Sequence, residues 1–152
     1  RVQKGLMLLL GALVLIQFIR PARNTSGQAY PADFSSIFPM PEKVQGILKT
    51  SCYDCHSNNT NYPWYANIQP GGWWLASHIS KGKEELNFNE FGNYSSRKKQ
   101  SKLKAISNSI EDGTMPLSSY ILIHSNAKLS EAQRELILDW IEKTKDSLSQ
   151  IK

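Results

Sequence analysis

The feature that most constrains this chain is a short run, Cys52-Tyr53-Asp54-Cys55-His56, which holds its only two cysteines. Two thiols at this spacing can bind a zinc ion, form a redox-active dithiol, or be attached covalently to a cofactor. Each of these chemistries requires different partners elsewhere in the sequence. The rest of the chain therefore decides between them.

The surrounding sequence does not favour zinc or a dithiol. A structural zinc site takes four protein ligands, and no second cysteine pair or close histidine pair follows. A thioredoxin-like dithiol begins a helix after a strand. Here the apolar residues Val44, Ile47 and Leu48 predict a helix that runs into the cysteine pair. A buried inert pair, or a disulfide across a two-residue loop, is the remaining structural alternative.

A histidine directly after the second cysteine is typical of covalent haem c attachment. The two thiols add to the haem vinyl groups, and the histidine becomes the proximal ligand of the iron. The motif therefore predicts one haem c, attached through Cys52 and Cys55, with His56 as an iron ligand.

The sixth iron ligand is less constrained, with Met115, His78, His124 and Met40 as candidates. Met115 precedes a proline and follows a predicted helix end, which favours a fixed loop. His78 lies in an apolar helical stretch, where a histidine is usually part of the core. We expect Met115 to be the ligand, ahead of His78, His124 and Met40, although an empty sixth position stays open.

Aromatic residues crowd the thirty-odd positions after the motif and suit the walls of a dry pocket for a flat ring. They are Tyr62, Trp64, Tyr65, Trp73, Trp74, Phe88, Phe91 and Tyr94. A proximal histidine also needs a partner for its second ring nitrogen. We expect a backbone carbonyl in the loop after the motif, such as that of Pro63, to accept this hydrogen bond.

The periodicity of apolar residues predicts an all-α domain. Helices are expected over residues 42–56, 72–86, 96–113 and 130–147. Gly113 is a suitable stop for the third, and Ser130 with Gln133 forms a capping box at the start of the last. Only "YILIH" is strand-like, and it is short.

The N-terminal part predicts a membrane anchor. Residues 5–19 are apolar and are bracketed by basic residues, although at about 1.5 Å per residue they reach only about 22 Å. We interpret residues 1–23 as a single uncleaved transmembrane helix, with a cleaved signal segment or a buried helix as alternatives. Residues 24–41 are proline-rich and predict a linker, and residues 42–152 the haem c domain.

The formal net charge of +5 does not indicate nucleic-acid binding. Four basic residues precede Asp33, the first acidic one, and removing them leaves 14 basic and 13 acidic residues. Residues 97–104 carry five positive charges, which is usual for a solvated helix face. The alternative is a patch that steers an acidic redox partner or lies on anionic lipid.

From Val44 to Lys145 the chain resembles the bacterial "haem-binding domain" family of small single-haem c-type cytochromes. The matching stretches are "CYDCHSNNTNYPWYANIQP", "WWLASHISKGKEELNF", "TMPLSSYILIH" and "KLSEAQRELILDWI". The resemblance implies a helical fold like class I cytochromes c, with Val44 and Leu48 packed on Ile137, Trp140 and Ile141. It also implies haem attachment at Cys52 and Cys55, with His56 and Met115 as axial ligands.

The expected function is to carry single electrons through a His/Met haem, in or near a respiratory chain, without enzymatic activity. The alternatives are a haem with an open sixth site, peroxidase-like or gas-sensing, and an accessory haem subunit of a larger membrane complex. Covalent haem is assembled outside the cytoplasm, as the resemblance implies. We therefore expect a bacterial inner-membrane location, with the haem domain in the periplasm and redox proteins, or a respiratory complex, as partners.

Overall fold

The computed structural model describes residues 2–28 and 30–150 and is built from helices. Within this part of the chain no strand forms, apart from an isolated bridge between Thr25 and Asn59. The all-α prediction is confirmed. The α-helices are α1 (Val2–Ile16), α2 (Phe34–Ile37), α3 (Glu42–Ser51), α4 (Tyr53–His56), α5 (Gly71–Glu85), α6 (Ser96–Glu111), α7 (Ser118–Ile121) and α8 (Glu131–Gln150). Short 3₁₀ helices occupy Trp64–Asn67, Phe88–Asn93 and Ser125–Ala127.

The prediction of a single N-terminal transmembrane helix is wrong. Helix α1 has 15 residues, which corresponds to a length of about 22 Å, whereas the hydrocarbon core of a bilayer is about 30 Å thick. Across residues 2–28 and 30–150, no helix combines the length and the apolar character that a membrane crossing requires.

The main core lies between α3, α6 and α8, which present apolar stripes to one another. Leu103 and Ile137 are completely buried. The contact expected between the first and last helices of the haem domain is confirmed, because α3 packs on α8 and all five of the named side chains lie in one buried cluster. They are Val44, Leu48, Ile137, Trp140 and Ile141.

The ends of α6 and α8 follow their sequence signals. The capping box forms as predicted, since Gln133 N–H donates to Ser130 Oγ and Ser130 N–H donates to Gln133 Oε1 (2.9 Å). At the end of α6, Gly113 has a φ of 65° and its N–H donates to Ile110 O (3.2 Å). Thr114 N–H reaches back to Ser109 O (3.0 Å), which completes a Schellman motif. The chain leaves this cap directly into Met115.

Residues 30–41 of the proline-rich segment pack on the core. Phe34 is 1% exposed and its ring contacts those of Phe88, Phe91 and Trp140. The indole N–H of Trp140 donates to Pro39 O (3.0 Å). Contacts of this kind hold the segment beside α8.

A smaller buried cluster joins α5 to the residues around the cysteine motif. Leu75 and Ile79 of α5 are each 3% exposed and pack with Ala66. Cys55, Tyr62 and Tyr65 lie against this cluster. Helix α5 is thereby held beside α4.

Replacing Leu103 by alanine is expected to lower the free energy of unfolding by about 2–5 kcal/mol, because it leaves a cavity at the centre of the α6–α8 contact. Leu122→Ala is the matched control, since Leu122 is 84% exposed and its loss should change stability by no more than about 0.5 kcal/mol. Denaturant unfolding followed by circular dichroism measures both. Equal effects of the two changes would contradict this description of the core.

Candidate functional site

The cysteine motif lies at a break between two helices. Instead of one helix over residues 42–56, α3 ends at Ser51 and α4 begins at Tyr53, with Cys52 between them at φ −129°. The carbonyl of Cys52 accepts the N–H of Cys55 (3.2 Å) and that of His56 (3.0 Å). This tight turn fixes both thiols and the imidazole relative to one another.

Helix α5 approaches this turn so closely that a side chain cannot fit between them. A Cβ on Gly82 would lie 2.8 Å from the carbonyl oxygen of Cys55, which is closer than real contacts allow. Gly82 therefore serves close packing of two backbones. The packing brings the last turn of α5 to His56.

The carbonyls at the end of α5 orient the imidazole. His56 Nδ1 lies 2.8 Å from Gly82 O and 3.1 Å from Leu86 O. Carbonyls only accept, so Nδ1 carries the proton and Nε2 keeps its lone pair for another partner. Burial lowers the pKa of His56 and favours this neutral form. A neutral imidazole held from behind by a carbonyl is the usual form of a metal-binding histidine.

The prediction that Pro63 supplies this carbonyl is wrong. Pro63 precedes the 3₁₀ helix Trp64–Asn67, and its carbonyl accepts the N–H of Ala66 (3.1 Å). The partner instead comes from the far end of α5, 26 residues beyond His56. Gly82 O also accepts the N–H of Leu86 (2.9 Å), and a carbonyl oxygen has a second lone pair that can accept the imidazole N–H.

The two thiols are free and half-buried. Burial, with the neighbouring Cys55 as a smaller cause, raises the pKa of Cys52 to about 12. Burial and the charge of Asp54 raise the pKa of Cys55 to about 11. A redox-active dithiol needs a lowered thiol pKa, so these environments do not match one.

Two adjoining cavities open beside the motif. The first, here the Phe88 cavity, and the second, the Cys55 cavity, each have a volume of about 250 Å³. They share the lining residues Ser51, Cys52, His56, Glu85, Met115 and Pro116. A single slot therefore runs along His56 and Met115.

The structure separates the four candidates for the distal ligand. Met115 lines both cavities, and His78 lines the Cys55 cavity alone. His78 Nδ1 donates to Trp74 O (2.9 Å), which leaves its Nε2 free. His124 lines neither cavity, and its Nε2 is hydrogen-bonded to the hydroxyl of Tyr65 (2.9 Å). Met40 packs on the main core instead.

Of the predicted aromatic walls, only Phe88 lines either cavity. The others divide between the core, where Phe91 is fully buried, and the surface, where Trp64 is 73% exposed. Aliphatic side chains complete the Phe88 cavity: Leu86, Ile106, Ile110 and Leu129. The cavity is thus apolar, but it is built mostly from α6 and from the residue after α5.

The donor set of this slot fits a haem. Cys52, Cys55 and His56 line one cleft with free thiols and an imidazole, and Met115 lines the same cleft. In residues 2–28 and 30–150, no three His, Cys, Asp or Glu side chains come together to hold a bare metal ion. The site is suited to a cofactor that brings its own ring of nitrogen ligands.

A comparison with protein families agrees with this geometry. The model of the haem-binding domain family matches residues 11–143, which is most of the chain. The chain belongs to this family. Comparisons with curated proteins and with solved structures gave no match. The chain is therefore a haem-binding protein.

Sequence reasoning missed two residues of the site, Gly82 and Lys102. Gly82 stands inside a predicted helix, where glycine costs up to about 1 kcal/mol relative to alanine, and that cost was a signal of close packing. In the sequence, Lys102 was considered only as one of the positive charges of residues 97–104, although it lies four residues before the apolar Ile106. Its position in the Phe88 cavity follows from the packing of α6.

Replacing Gly82 by alanine is expected to destabilise the protein by about 1–3 kcal/mol, because the new methyl group pushes α5 away from Cys55. The haem-loaded fraction should fall as well, since His56 loses its carbonyl partner. Gly46→Ala is the matched control, because Gly46 is exposed in α3 and has open space around it. That change should raise stability by about 0.5–1 kcal/mol. Thermal unfolding and absorbance of the purified proteins test both, and a neutral Gly82→Ala would contradict the close approach.

Proposed function

We propose that this protein is a c-type cytochrome that carries single electrons. In this proposal Cys52 and Cys55 hold the haem covalently, His56 is its proximal ligand and Met115 its distal ligand. The observation that carries the proposal is that His56 and Met115 line the same two adjoining cavities beside the cysteine pair. With both axial positions taken, no position remains for a substrate.

The bound haem would supply the iron that takes up and releases one electron. The chain supplies the environment for that change. Gly82 and Leu86 hold the imidazole in one tautomer through their carbonyls. Phe88, Ile106 and Leu129 keep water from one side of the slot. The Schellman cap of α6 fixes the backbone at Met115, whose N–H donates to Ser109 O (3.2 Å).

A vacant sixth position is the alternative that one observation favours. Met115 is 37% exposed, so its thioether is not sealed in the core. A displaceable methionine would admit a diatomic gas or a peroxide to the iron. The backbone contacts of the Met115 loop support the electron carrier, and the second test below separates the two functions.

We also propose where the protein works and with what. Covalent attachment of haem takes place outside the bacterial cytoplasm, which is the reason to propose the periplasm. The partners would be redox proteins of, or close to, a respiratory chain. The support for this proposal is the chemistry of a one-electron centre, which requires a donor and an acceptor.

The covalent attachment can be tested by co-expressing the chain with a haem c assembly system. We expect the purified protein to gain the mass of one haem that acid–acetone extraction does not remove. Cys52→Ser and Cys55→Ser should each remove one thioether, and the double variant should release its haem on extraction. A double variant that retains haem after extraction would overturn the attachment.

The axial ligands can be tested with Met115→Ala and His78→Ala. Met115→Ala should lose the far-red band of methionine-ligated ferric haem, lower the reduction potential and bind carbon monoxide rapidly when reduced. His78→Ala is the control and should keep the band, because we place His78 outside the iron coordination. Fast carbon monoxide binding by the unmodified protein would favour the gas-binding or peroxidase-like alternative.

A further inference from the structure

The Phe88 cavity poses an electrostatic problem for the ligand that it is proposed to hold. A haem carries two propionates, and a carboxylate in an apolar cavity needs a charged or hydrogen-bonded partner. Half of the side chains around this cavity are aliphatic or aromatic, and one, Glu85, is a carboxylate. Among residues 2–28 and 30–150, Lys102 is the only basic side chain that lines it apart from the imidazole of His56.

Lys102 is held in the cavity by the packing of its own helix. Its neighbour Leu103 is fully buried in the main core, so the rotation of α6 is fixed. With α6 held in this way, Lys102, Ile106 and Ser109 share the face that lines the cavity. The side chain of Lys102 is 23% exposed.

The present partner of Lys102 is a weak one. Its ammonium lies 3.7 Å from a carboxylate oxygen of Glu85, whose side chain is 80% exposed. An ion pair with a solvent-exposed carboxylate contributes little to stability, because water screens the attraction. A carboxylate that enters the cavity can therefore replace Glu85 at little cost.

Resting on the function proposed above, we propose that Lys102 binds a propionate of the haem. The hydroxyl of Ser109 on the same face is available as a second donor. The other lysine of the slot, Lys81, is exposed and lines the Cys55 cavity. The propionates of a haem lie on the ring edge away from its vinyl groups, which Cys52 and Cys55 would hold. The cavity that lacks Cys55 is therefore the better place for them.

The propionate contact has a consequence for the reduction potential. Ferric haem carries one more positive charge than ferrous haem, so an unpaired propionate stabilises the ferric state. Lys102 neutralises the propionate and thereby raises the potential. An exposed lysine acts on the iron only through solvent, which screens its charge.

The experiment uses the haem-loaded protein with Lys102→Met, and with Lys104→Met and Lys81→Met as controls that remove an exposed lysine. We expect the reduction potential to fall furthest in Lys102→Met. The propionate bending bands in the resonance Raman spectrum should shift in this variant alone. Lys102→Arg, which keeps the charge, should stay close to the unmodified protein and guards against an effect of misfolding.

A Lys102→Met potential and Raman spectrum equal to those of Lys104→Met would overturn the proposal. So would a larger shift in Lys81→Met, which would place the propionates in the Cys55 cavity. The Raman bands report on the propionates whatever the axial ligands are. The test of Lys102 therefore remains valid even if the protein binds a gas instead of carrying electrons.

Discussion

The site depends on the close contact between the last turn of α5 and the turn of Cys55 and His56. Only a glycine at position 82 permits the approach, and the approach delivers a carbonyl to the imidazole at 2.8 Å. A hydrogen bond of this kind adds about 0.5–1.5 kcal/mol to stability, which is little. Its larger effect is to fix the tautomer of His56, so that Nε2 keeps a free lone pair.

Helix α6 forms the opposite wall of the slot. Its burial through Leu103 and Ile110 fixes the rotation of the helix and therefore which residues line the cavity. Its C-terminal Schellman cap determines where the chain turns into Met115. The two walls are thus set by two helix ends, one whose carbonyl accepts the N–H of His56 and one that leads into Met115.

The successes and errors of sequence reasoning have separate physical causes. Local patterns were sufficient for the all-α class, the capping box at Ser130 and the stop at Gly113, because these depend on residues within one or two turns. The predicted Pro63 carbonyl failed because the true partner lies far along the chain and is reached only by packing. More aromatic residues were expected to line the pocket than do so, because composition cannot distinguish a ring in the core, such as Phe91, from a ring that lines the cavity, such as Phe88. The transmembrane helix was wrong because the apolar stretch is too short to span a bilayer.

The sequence by itself determined the chemistry of the site and the class of the fold. The cysteine pair with its histidine predicts a haem from a pattern of only five adjacent residues. Helix periodicity predicts the all-α fold in the same way, because it also depends on residues that are close in sequence. Tertiary structure alone decided that Met115 and His78 line the slot with His56 while His124 does not, and that Lys102 faces the cavity. These side-chain positions result from the packing of α5, α6 and α8. That packing depends on contacts between residues that are far apart in the sequence.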